Sequence, residues 1–560
     1  MKKKNVTKIL SLVLCAAIGT SVFAGCGVND SQEQINTDKT QLYVNLRYAG
    51  LGDLWMKRYK EEFEKFYAET SFEEGKKGVQ VIIDYTYSGG YDILKNLIST
   101  RAEVIWTEAG THYQLAMDGI ALDLSDIIKE PLTEFGETAT IESKMEPSLL
   151  DYYRATDGKV YALPWFDYFK GTVYDVDIFE GRESNGQGFY IAKDGGFTNG
   201  LEGSPEKSAG PNNVSGDYDD GLPANYDEFF AMMDEMVTYG ITPFIFPGLA
   251  TTYMDSFFIN LWLNNEGAEA SLNFTFDGTA TDLINVAEDG TITELPDTKI
   301  TNENAYMVFK QEGRYRAYQF LEKFIKNPLY YSVNAFDASG SQTQSEEDFL
   351  YGIVDGQEKI AMIVDGVWWE SEAVSVFNSM ELLDESYSRQ NRRFAWMPMP
   401  FYEKSKEERS QTMVAEKETH VIINKNIAPD KVDVAKKFLQ FTSTDAMLVA
   451  TVEENSTPRS LKVKDTSKFD TADLTAYGSS IIQTLNEATI ISRLSTNKFQ
   501  WSASLGNNQL FCISTVNGAQ YSSLVSSFYN QPKLTAASFF NGLTYGTEKK
   551  WQDLLKAYEA

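Results

Sequence analysis

The chain is 560 residues long, room for a large core and, at roughly 100 to 200 residues per domain, for more than one folded unit. Hydrophobic residues make up 42% and aromatic residues 13%, which excludes a disordered or low-complexity protein. The balance of 50 Lys and Arg against 80 Asp and Glu, a net charge of −30, disfavours nucleic acid, whose phosphates need a basic surface, and weighs weakly against acidic glycans.

The first residues read as an export signal. Lys2, Lys3, Lys4 and Lys8 precede the mostly apolar run Ile9 to Val22, shorter than the roughly 20 residues a spanning helix needs. The run ends in Phe23-Ala24-Gly25-Cys26, which resembles the lipobox of bacterial lipoproteins and implies cleavage before Cys26 with diacylglycerol on its sulfur. Plain secretion with a free Cys26 is the alternative. Residues 1–25 are then a signal peptide and 26–40 a lipidated cysteine with a polar, flexible tether. Losing the four leader lysines leaves 46 basic against 80 acidic residues, or −34.

Past the tether, strand and helix patterns alternate. Gln41 to Tyr48 predicts a strand, and Leu54, Trp55, Tyr59, Phe63, Phe66 and Tyr67 recur at helical spacing. Val79 to Tyr87, a short helix turning Ile93, Leu94, Leu97 and Ile98 inward, and the strand Glu103 to Thr107 follow. This βαβαβ order argues a parallel sheet covered by helices, with ligands gathered at the carboxyl ends of its strands. A second α/β region begins near Gly171. In it Asn225 and Glu228 predict a capping box, and Phe229, Phe230, Met233, Met236 and Val237 form the face of a helix stopped by Gly240. Two polar insertions, 180–221 and 272–302, interrupt the pattern. Asp217, Asp219 and Asp220 in the first lack the Gly and Glu of a calcium loop and read as a solvated surface. No metal or cofactor is expected: Cys15, Cys26 and Cys512 form no CxxC pair, and His112 and His420 have no partner at ligand spacing.

Short blocks carry a resemblance. Asp157-Gly158-Lys159-Val160-Tyr161-Ala162-Leu163-Pro164 is similar to the DGKxYGxP crossover of family 1 extracellular solute-binding proteins, the carbohydrate-binding components of ABC importers related to maltose-binding protein. Tyr174 with Asp177 and Phe179, the block Ala116 to Leu124, Pro223 to Phe229, Ile241 to Phe244, Ala361 to Trp368 with its AMxxxGxW pattern, and Pro398 to Pro400 resemble further family blocks in the same order. The strand His420 to Ile423 and the helix around Ala435 to Leu439 resemble its return into the first lobe. The resemblance implies an α/β, two-lobed type II periplasmic-binding-protein fold, with a mixed sheet and flanking helices in each lobe and the ligand cleft between them. The first lobe is expected over 41–165, completed by about 397–450, and the second over 166–396, completed by about 455–560.

A sugar presents apolar C–H faces and a rim of hydroxyls, so its site needs aromatic platforms and hydrogen-bonding side chains. The resemblance aligns Trp368 with the family's cleft tryptophan; as a cleft residue it should be dispensable for the stability of the unliganded protein. Trp106 and Glu108 follow the third strand, where Trp106 fits equally a platform and a last buried residue. Trp165, Asp167 and Tyr168 occupy the crossover after Pro164. Arg47 and Tyr48 end the first strand, where neighbours point to opposite faces, and Tyr91 follows the second. Arg459 lies near an expected return crossover and fits equally a ligand contact and an interlobe ion pair.

The sequence contains no GxxxxGK followed by Ser or Thr, so transport energy must come from a separate ATPase subunit. The function implied is a monomeric, lipid-anchored receptor on the outer face of the cell membrane, capturing a sugar, expected to be a neutral oligosaccharide, and delivering it to an ABC permease. A binder of another solute on the same fold is the alternative. A secreted carbohydrate-active enzyme, built on paired carboxylates, is a more distant one.

Overall fold

The computed structural model describes residues 33–559 apart from 88–90, 109–111, 338–340, 404–409, 417–418, 466–473, 494–498, 500–513, 517–518 and 522. The export signal and Cys26 lie outside the described residues. In chain order the elements that position the cleft are β1 (Thr40–Arg47), α1 (Leu54–Phe66), β2 (Val79–Thr86), β3 (Val104–Thr107), β4 (Leu163–Pro164) and β5 (Lys170–Asp175). Next come α2 (Tyr226–Thr238), β6 (Thr242–Ile245), α3 (Thr251–Glu266), α4 (Glu312–Lys326), α5 (Gln342–Tyr351), β7 (Ile360–Gly366) and β8 (Phe394–Met397). The series ends with β9 (Thr412–Ala415), β10 (His420–Ile423), α6 (Val432–Thr442), α7 (Asp445–Asn455), α8 (Ala476–Glu487) and β11 (Thr489–Ser492).

Two mixed sheets, one per lobe, organise the chain. The first has the order β2-β1-β3-β10-β4, with β1 parallel to β2 and β3 and β10 antiparallel to its neighbours. The second has the order β8-β5-β7-β6, with β5 antiparallel to β8 and β7 and β7 parallel to β6. Burial is nearly continuous along β1 and β7, as expected for strands covered on both faces. Helix α1 buries Trp55, Met56, Tyr59 and Phe63 against the first sheet, whereas Leu54 and Phe66 at its two ends stay exposed, so the apolar stripe is narrower than its sequence spacing.

Helix α2 is capped by the Asn225 side chain, which accepts from the Glu228 amide at 3.1 Å. The Glu228 carboxylate in turn accepts from the amide of Ala224 at 2.9 Å, one residue upstream of the capping-box position. Gly240, at φ 72°, takes the chain out of the helix. The loop around Asp217 is not simply solvated: Asp219 is buried, accepting from the Asn212 amide at 3.1 Å, while Asp217 accepts from the Asn212 side chain at 2.7 Å.

Three segments pass between the lobes. The chain leaves the first lobe through 165–169, and Tyr168 pairs there with Glu416 on the way back. The return was expected from about 397, but β9 stays with the second lobe, parallel to β11, and the first sheet is rejoined only by β10, starting at His420. Helices α6 and α7 then pack on α1, and the chain crosses a third time where Phe166 pairs with Arg459. Helix α8 lies on β8, and the helices Leu524–Asn530 and Ala536–Gly542 pack on α4. One apolar core fills the outer part of the second lobe, and the other runs from the first lobe through the crossovers onto Val173, Ile363, Trp369 and Phe394 of the second. Among the described residues no helix is long and apolar enough to cross a membrane.

Candidate functional site

The lobes meet around an aromatic group at the crossovers. Trp368, just past β7, stacks at a tilt on Tyr168 of the first crossover, with centroids 4.7 Å apart, and meets Tyr253 of α3 edge-on at 6.4 Å. Its indole N–H donates to Glu372 at 3.1 Å. Gly50, in the first-lobe loop after β1, lies directly against the ring, where a Cβ would come within 2.2 Å of Cδ1.

Charged and hydroxyl groups surround these rings. On the first-lobe side the Tyr168 hydroxyl donates to Glu108 at 2.7 Å, and the Arg47 guanidinium stands 3.6 Å from the same carboxylate. On the other side Glu416, from the second crossover, accepts from Lys170 at 2.8 Å, Ser256 at 2.8 Å and Arg493 at 3.0 Å. Burial alone would raise the Glu416 carboxyl, but Lys170 and Arg493 outweigh it and hold it down at about 2. Its neighbour Asp255 is buried, which pushes its carboxyl up to about 7 against the pull of the same two cations. Behind Trp368, Glu346, Asp365 and Glu372 form, among the described residues, the one group of three carboxylates at metal-ligand spacing. The arrangement offers apolar ring faces beside fixed donors and acceptors, the combination that recognises a hydroxyl-rich ring.

No family model and no curated protein matches the sequence. Solved structures do match. The GacH receptor of Streptomyces glaucescens, determined unliganded and in complex with acarbose, is 14% identical, with 92% of this chain and 99% of that chain covered and a TM-score of 0.52. A chitin oligosaccharide binding protein is 12% identical, with 92% and 99% covered and a TM-score of 0.51. This is the solute-receptor fold.

Within the solute-receptor fold the expected site residues divide. Trp368, Tyr168, Glu108 and Arg47 come together at the interlobe contact. Tyr48 is exposed beside them, against Tyr85 and Tyr87, and Asp167 is half-buried and accepts from the Ser460 hydroxyl of the third crossover. Tyr91 opens the helix Tyr91–Leu97, and its side chain lies outside what is described. Trp106 and Trp165 do not present faces to the cleft: both are buried in the first-lobe core, Trp106 against Trp55 and Phe438 and Trp165 against Trp55 and Phe166. Arg459 is buried as well, donating to the carbonyl of Thr442 at 2.6 Å and that of Pro164 at 3.5 Å, so it ties the third crossover to the first lobe. Trp368 itself is only 8% exposed and packed on both lobes, so its removal must also lower the stability of the unliganded protein.

Sequence reasoning placed Gly50 only within the end of the first strand, Tyr48 to Gly52, and passed over Tyr253, Lys170, Glu416 and Arg493. Lys170 had a local signal, two residues past Tyr168 in the same crossover. Glu416 and Arg493 had none, because their partner at the cleft is 246 residues from one and their mutual contact spans 77.

Proposed function

We propose that this chain is the extracellular substrate-binding subunit of an ABC importer, holding a neutral sugar or oligosaccharide between its lobes and passing it to a permease driven by a separate ATPase. The observation that carries the reading is the meeting of Tyr168, Trp368 and Tyr253 at the lobe junction, ringed by Glu108, Arg47, Lys170 and Arg493. The rings suit the C–H faces of a pyranose, and the charged groups suit its hydroxyls. That GacH was crystallised with acarbose, and that another structure of this fold is a chitin oligosaccharide binding protein, support a saccharide ligand. Tyr48 and Asp167 flank the site and extend the ligand set. The task is capture without turnover: a ligand shifts the lobes toward closure only as far as its contacts reach both of them. The Phe23-Ala24-Gly25-Cys26 sequence supports anchoring to the outer face of the membrane by lipid on Cys26, and the receptor is proposed to act as a monomer.

Isothermal titration against neutral oligosaccharides of graded length tests the reading. Saturable binding is expected for at least one of them, weakened in Tyr168→Ala and Glu108→Ala. Binding confined to peptides or polyol phosphates would assign another solute, and hydrolysis of the panel would make the chain an enzyme.

A further inference from the structure

Behind Trp368 the second lobe buries more negative charge than it balances. Glu346 comes from α5, Asp365 from the end of β7 and Glu372 from the short helix Trp369–Glu372, and one carboxylate oxygen of each lies within 4.8 Å of the others. Two oxygens bound to one calcium ion at about 2.3–2.6 Å can stand no more than about 5 Å apart, so the spacing is that of a ligand set. Glu346 is 1% exposed and Asp365 is fully buried. Among the described residues no N–H or hydroxyl donor reaches either oxygen of Glu346 or Oδ2 of Asp365; what lies within hydrogen-bonding reach of Glu346 is the other two carboxyls. A carboxylate taken out of water without a partner costs several kcal/mol, and a neighbouring like charge adds to that. Among the described residues Lys170 is a cation that acts on Asp365, and its ammonium is already bound to Glu416 at 2.8 Å. That buried charge has to be met by a bound cation or by protons.

We propose that Glu346, Asp365 and Glu372 form a site for a hard divalent cation, calcium first. All three donors are oxygens, which selects calcium, magnesium or manganese over softer metals, and a mixed carboxylate set completed by water suits the irregular shell of calcium better than the strict octahedron of magnesium. Glu372 is the partly exposed member. It also accepts the Trp368 indole N–H at 3.1 Å, so an ion that holds the Glu372 side chain in place holds the ring at the lobe junction as well.

The test uses the full chain stripped with chelator and involves no sugar, so it stands or falls apart from the saccharide reading. Calcium chloride is titrated in by calorimetry near neutral pH, with melting temperature and tryptophan fluorescence followed in parallel. Saturable binding at one site is expected, with a melting temperature that climbs with calcium concentration and a change in indole emission. Glu346→Gln should abolish all three responses, Glu372→Gln should weaken binding about tenfold or more, and Asp217→Asn should change nothing. Glu372→Gln decides the matter if Glu346→Gln fails to fold. Absence of response to calcium, magnesium and manganese, together with a Glu346→Gln protein more stable than the parent, would overturn the proposal and assign the charge to protons. Binding that survives both Gln variants would also overturn it, placing the ion on the acidic surface.

Discussion

Gly50 is where a single methyl group should hold the lobes apart. A Cβ there would stand 2.2 Å from Trp368 Cδ1 and 2.6 Å from its Nε1, whereas carbon atoms settle at about 3.5–4 Å. Gly50 is not among the residues with left-handed backbone, so alanine adds bulk without conformational strain. Relief requires a shift of about 1.3 Å or more, and only two movements supply it. Either the Trp368 ring swings off Tyr168 and loses Glu372, or the first lobe moves away. Overpacking by one methyl costs about 1–3 kcal/mol, and because the clash exists only when the lobes touch, that cost falls on the closed state. Ligand affinity should therefore drop about 5- to 150-fold in Gly50→Ala. Calorimetry reads the affinity, and small-angle scattering reads an enlarged radius of gyration if the lobes part. In a Trp368→Ala background only the flexible Glu372 carboxylate, 3.1 Å from the Cβ, remains in the way, so adding Gly50→Ala should cost little further. Additive effects of the two substitutions, or a Gly50→Ala protein with unaltered affinity, would refute the steric argument.

Three further outcomes follow from burial and charge. Arg459→Met should destabilise the protein by about 1–3 kcal/mol for each carbonyl left without its donor, read by urea denaturation; intact stability with lost ligand binding would return Arg459 to the ligand set. The Glu416 carboxyl is held at about 2 against an ordinary 4.5, so its stabilisation is complete above the ordinary value and is lost as pH falls through the depressed one. Glu416→Gln should flatten the stability–pH curve across that acid window, and a parallel curve would show that Lys170 and Arg493 do not act through it. Asp219 runs the other way: burial and then Asp217 raise its carboxyl to about 8, so the folded state holds a proton the unfolded chain has released, and stability declines as pH rises from the ordinary 3.8 toward 8. Asp219→Asn should remove that decline and stabilise the protein at neutral pH; a loss of stability there would mean the ionised carboxylate is needed.

The fold was legible because its signals are local. The aromatic stripe of α1, the Asn225 cap and the order of β1, β2 and β3 each occupy a short window of sequence, and the run ending in Pro164 marks the first crossover. The site was legible only in part, since residue type does not report what lies across the fold. A tryptophan at a strand end looks the same whether it faces a cleft or, as Trp106 does, Trp55 and Phe438. An arginine near a crossover looks the same whether it holds a ligand or, as Arg459 does, the carbonyl of Thr442. Asp219 reads as solvated in a Gly- and Asp-rich stretch, yet Asn212 folds back over it. Gly50 lies at an expected strand end, but its closeness to a partner shows only once the Trp368 ring is set against it.

The junction between the lobes is held by three strands of chain, laced by the Tyr168–Glu416 and Phe166–Arg459 pairings. A single tether would let one body swivel freely about its axis, but three cords side by side resist torsion while still permitting a bend across them. The second lobe should therefore open like a door on one axis and return to the same register each time, so that Trp368 meets Gly50 at every closure and cannot slide past it.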